Sequence, residues 1–152
     1  MFETTAFDLR NLDREHAEIG RRYVGLEKVI LRGGGMLRIL AAADSLVQMM
    51  LLHFTHEEQF LLKLAVSRRI QEIQHDANVA VTAKLMSIEA ELELGSTDGV
   101  LHLLRLGKDW MREHMNLEDE EFKRGELARD PKIFLVRRAF GDHPVARAGV
   151  NG

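Results

Sequence analysis

In Leu51-Leu52-His53-Phe54-Thr55-His56-Glu57-Glu58-Gln59-Phe60, apolar residues recur at helical spacing, with a histidine and a glutamate four residues apart among them. On a helix, positions i and i+4 lie one above the other on one face. His53 and Glu57 therefore point into the same interior as the leucines. A carboxylate in that interior is costly unless something neutralises it. Histidine with carboxylate is a fitting ligand pair for iron or manganese. The stretch asks for a helical fold built around a cation.

The flanking sequence supplies the helices. Asn11 reads as an N-cap, with Asp13 and Glu15 in a first turn where acids complement the helix dipole. Leu12, His16, Ile19, Tyr23, Leu26 and Ile30 then trace one stripe as far as Leu31, and Gly33-Gly34-Gly35 stops it. A second helix is predicted from about Met36 to Leu64. A third follows a break at 65–67, with Ser67 as its cap and Ile70, Ile73, Ala77, Val81, Leu85, Ile88 and Leu92 facing inward. Gly95 to Gly99 reads as a loop. A fourth helix is predicted from Val100 to Lys123, with Leu103, Leu106, Trp110, His114 and Leu117 on its inner face.

Four amphipathic helices with short connections predict an all-α, up-down-up-down four-helix bundle over residues 1–125. Residues 126–152 form an extension with one short helix, begun by Asp130-Pro131 and stopped by Gly141. It is expected to pack on the bundle or on a partner, and a homo-oligomer through Ile133 to Phe140 is one such arrangement.

Each helix carries a histidine in or beside its apolar stripe: His16, His53, His75 and His114. Two helices add a carboxylate at close spacing, Glu57 after His53 and Asp119 after His114. A single histidine on an apolar face is usually a core residue bonded to a carbonyl. Four of them, early on one helix and late on the next, fall near one end of an antiparallel bundle, and that coincidence of height favours a metal site.

These motifs resemble the hemerythrin family, specifically its bacterial hemerythrin-like domains. The matching segments are Leu12-Asp13-Arg14-Glu15-His16, His53-Phe54-Thr55-His56-Glu57-Glu58, His75-Asp76 and Trp110 to Asp119. The resemblance implies two non-haem iron ions joined by an oxo or hydroxo bridge. Glu57 and Asp119 would be bridging carboxylates, His16 and His53 ligands of one iron, and His75 and His114 ligands of the other. Phe54 and Trp110 would line the oxygen pocket. The function implied is dioxygen binding for sensing, delivery or storage, with no turnover required; manganese or a mixed pair is the other metal content to expect.

One departure matters. The family's third helix carries HxxxH, and Gln71 stands here four residues before His75. Two six-coordinate irons offer roughly twelve positions, and with one histidine fewer about two stay open, one on each metal. Gln71 or water would fill the gap, with His56 and Glu72 as further candidates; a partly exposed imidazole is the simpler reading of His56. An open position on each iron would suit an alternative function, a di-iron oxidase or peroxide-reducing enzyme.

Composition closes other routes. There is no cysteine, which excludes thiolate zinc sites and iron–sulfur clusters, and the net charge of −3 argues against nucleic acid. No apolar run approaching the ~20 residues of a membrane span stands out, and the N-terminus has no secretory pattern, so a cytoplasmic location is expected. His102 and His143 lie off the inner stripes.

Overall fold

The computed structural model describes residues 4–63 and 67–115, with side chains from 10 to 63 and from 67 to 112. They form four helices, α1 (Thr4–Leu31), α2 (Met36–Lys63), α3 (Arg68–Glu93) and α4 (Thr97–Met115). The predicted extension lies outside the described residues.

Consecutive helices run antiparallel. Between α1 and α2, Glu15 meets His53 and His56, and Arg22 Nη1 donates to the Ser45 carbonyl at 3.0 Å. Between α2 and α3, Glu58 meets His75 while Gln48 meets Glu89. His102 on α4 donates to Glu91 on α3 at 3.0 Å, and α4 closes back on α1 where Gly107 lies against Tyr23. This is the expected up-down-up-down bundle.

Local chemistry explains the helix ends. α1 and α3 both stop in a Schellman turn, which satisfies the last carbonyls and needs a residue with positive φ. Gly33 (φ 70°) and Gly95 (φ 73°) supply it. Gly34 N donates to Val29 O at 2.8 Å and Ser96 N to Glu91 O at 3.0 Å, the long bond of that motif in each case. Ser67 caps α3 as expected, accepting from Ile70 N at 3.3 Å. Asn11 does not cap α1. The helix passes through it from Thr4, because the residues before it contain no glycine or proline to hold the chain in another conformation.

The core joins Ile19, Tyr23 and Leu26 of α1, Ala43, Leu46, Val47, Met49, Met50 and Phe54 of α2, Leu85, Ile88 and Leu92 of α3, and Val100, Leu103 and Trp110 of α4. By length and composition alone α2 would pass as a membrane span, with a mean hydropathy of 1.3 over its most apolar window, which corrects the reading that the chain has no such run. Its apolarity is that of a central helix, packed against α1, α3 and α4.

Close approach of α1 and α4 depends on Gly107. A Cβ there would lie 2.9 Å from Tyr23 Cδ2. In Gly107→Ala, a helix-propensity gain of about 1 kcal/mol meets an overpacking cost of roughly 1–3 kcal/mol. The expected outcome is a lower thermal midpoint by circular dichroism.

Candidate metal centre

Helical spacing on α2 turns His53 and Glu57 inward, and both are buried, the carboxylate at 1% exposure. His53 Nε2 lies 3.0 Å from Glu57 Oε2. From α1, His16 Nε2 approaches the same oxygen at 3.9 Å. One ligand atom from each of His16, His53 and Glu57 lies within 4.8 Å of the others. The rings pack closely, with His16 and His53 centroids 4.6 Å apart. Trp110 presents an edge-on ring to both, at 5.3 and 5.6 Å, and Phe54 flanks His53 at 5.8 Å. The two aromatics expected beside the metals thus cover these imidazoles.

Behind the cluster stands Glu15, part-buried at the α1–α2 contact. His53 Nδ1 donates to Glu15 Oε1 at 2.9 Å, and His56 Nδ1 donates to Oε2 of the same carboxylate. With Nδ1 engaged, His53 is left with Nε2 for the interior, the arrangement typical of metal-binding imidazoles. Burial pushes the His53 pKa down, but the charge of Glu57 and the Glu15 hydrogen bond outweigh it and lift the group to about 9. Burial likewise raises Glu15, and its bonds to His53 and His56 outweigh that, leaving it below its ordinary value. The site is built to hold positive charge.

Glu15 is a residue that sequence reading passed over as a first-turn acid. The signal was the pair His53 and His56, three apart on one helix and close enough to be gripped by one carboxylate. Glu15→Gln is expected to weaken metal affinity about 10–100-fold while leaving the fold intact, the usual cost of losing an outer-shell partner; competition against a chromophoric chelator measures it. His56 takes the outer position in this geometry, partly exposed and bonded to Glu15.

The third helix places the expected ligand His75 away from the cluster. His75 is 60% exposed and donates from Nδ1 to Glu58 Oε1 at 3.0 Å, away from the cluster. The inward face of α3 is instead Gln74, Asn78, Leu85, Ile88 and Leu92. His75 is one residue beyond Gln74, about 100° round the helix, and so lies on the outer surface. Gln71 is half-buried at the edge of this face. Ile70, Ile73 and Ala77, predicted to point inward, flank the face half-buried. His114 lies on α4 with its side chain outside the described residues, and Asp119 lies outside them altogether.

The profile of the hemerythrin HHE cation binding domain matches residues 8–124. The chain belongs to the hemerythrin family. No curated protein matches it, and no solved structure does.

A hemerythrin-like domain binds cations, and the residues present fit one. Three donors from two helices converge, two of them fully buried, and His53 Nε2 lacks an aligned hydrogen-bond partner among the described residues. Among the described residues they do not supply a ligand set for the second iron that the resemblance implies. That ion calls for imidazole from α3, and α3 offers amides.

Proposed function

We propose that this hemerythrin-like domain holds non-haem iron on His16, His53 and Glu57 and binds dioxygen or another small diatomic ligand there, for sensing, delivery or storage. His114 and Asp119 are proposed as further ligands from α4, on their family spacing. The observation that carries the reading is the convergence of two imidazoles and a buried carboxylate within 4.8 Å. Two histidines and one carboxylate leave coordination positions open on an iron ion, the donor set of many oxygen-handling iron sites. Iron bound there supplies the electrons that oxygen binding draws on. The protein's own contribution is the casing. Trp110 and Phe54 pack against the buried His53 ring, and Glu15 fixes its orientation.

The test is anaerobic loading with ferrous iron, followed by air and then deoxygenation, watched by visible absorption. A coloured form that reverses supports oxygen carriage. Failure to take up iron overturns it.

A second reading, oxidation of a small substrate or reduction of peroxide, is favoured by a cleft of about 770 Å³ between α1 and α4. His16 and Trp110 form part of its wall, beside Gly20, Val24 and Met111. A diatomic ligand needs far less room. Steady oxygen or peroxide consumption with a reductant, in place of a reversible spectrum, would favour this reading.

A further inference from the structure

At the level of the cluster, α3 turns two carboxamides inward. Gln74 is 3% exposed and Asn78 is 5% exposed. They stand at i and i+4, so they share one face. Asn78 Nδ2 donates to Glu58 Oε1 at 3.3 Å, and Glu58 directly follows Glu57, which sets this turn of α3 beside the ligand-bearing turn of α2. Gln74 Oε1 is buried with no hydrogen-bond partner among the described residues. The only imidazole on this stretch of α3, His75, is outside.

Carboxamide oxygens are neutral and weaker donors to iron than imidazole. A cation taken from water to this face of α3 would lose its hydration without gaining nitrogen donors or negative charge from that helix. The α1–α2 half keeps both, in His16, His53 and Glu57. We infer that the domain is a one-metal centre: the ion sits on the α1–α2 side, and the α3 side is a polar wall of Gln74 and Asn78 that holds no second ion. This inference rests on the cluster binding metal, as proposed above.

The experiment counts ions. Full-length protein is loaded anaerobically with excess ferrous iron, and separately with cobalt(II), then desalted and measured by elemental analysis per chain. One ion per chain is expected in wild type, none in His53→Ala, and two in the double variant Gln74→His/Asn78→His. Oxidised wild type should show the electron paramagnetic resonance of an isolated ferric ion, not the silence of a coupled pair. Two tightly held ions in wild type would overturn the inference while leaving the metal-binding reading standing. No ion in wild type would sink both. Should the histidine double variant not fold, Gln74→Ala/Asn78→Ala serves instead. A count still at one supports the inference, and a fall to zero shows that the amides are ligands and overturns it.

Discussion

Glu57→Gln is expected to weaken metal binding by well over the roughly 10–100-fold that losing an outer-shell partner costs. Glu57 is the one buried carboxylate in the cluster, and both imidazoles face its Oε2. Glutamine keeps the volume and removes the charge. The same change should be visible with no metal present. The Glu57 charge helps lift His53 to about 9, so the His53 ring should titrate closer to its ordinary 6.5 in the variant. Equilibrium dialysis reads the first effect and the imidazole proton resonance reads the second. Wild-type affinity in Glu57→Gln would remove the cluster from consideration as a metal centre.

Metal-free protein should lose stability as pH rises from 6 to 10. The folded pKa of His53, about 9, is above its ordinary 6.5. Its contribution is therefore complete below about 6.5 and disappears as pH climbs through 9. At about 1.36 kcal/mol for each tenfold gain in proton affinity, the loss is about 3 kcal/mol, large against the stability of a domain this size. Glu15 acts at the other end. Its pKa is depressed from 4.5, so its contribution is present above 4.5 and fades as pH falls through the lowered value. Metal loading should run the opposite way at alkaline pH, because the ion must displace the proton on His53. Affinity is expected to rise about tenfold per pH unit and level off near 9. Urea melts of the metal-free protein, beside metal titrations over the same range, measure both slopes. His53→Gln should flatten them. A metal-free protein equally stable at pH 6 and pH 10 would contradict the charge coupling.

Much of this architecture was legible in residue order because it rests on local rules. Helical periodicity marked all four helices, Gly33 and Ser67 marked real boundaries, and the pair His53 and Glu57 was sufficient to place the interior of α2. Asn11 misled because a capping side chain acts only where the preceding backbone is already non-helical. The register of α3 misled for a deeper reason. Its inward turn near the cluster is made of Gln74 and Asn78, and a search for apolar stripes passes over buried polar residues. Continuing the alternating 4-3-4 spacing of Leu92, Ile88, Leu85 and Val81 backwards, by three and then four, would have arrived at Asn78 and Gln74. Following the imidazole arrived at His75, one position off. Glu15 was not readable from α1 alone, since its partners are on another helix.

The Schellman turns at Gly33 and Gly95 are both at the end of the bundle opposite His53. From Met36 to His53, at 1.5 Å per residue, is about 26 Å. A dye, a surface tether or a fused domain attached at either glycine turn would therefore stand a helix length from the cation, and the bundle could be wired to other machinery there with its chemistry left undisturbed.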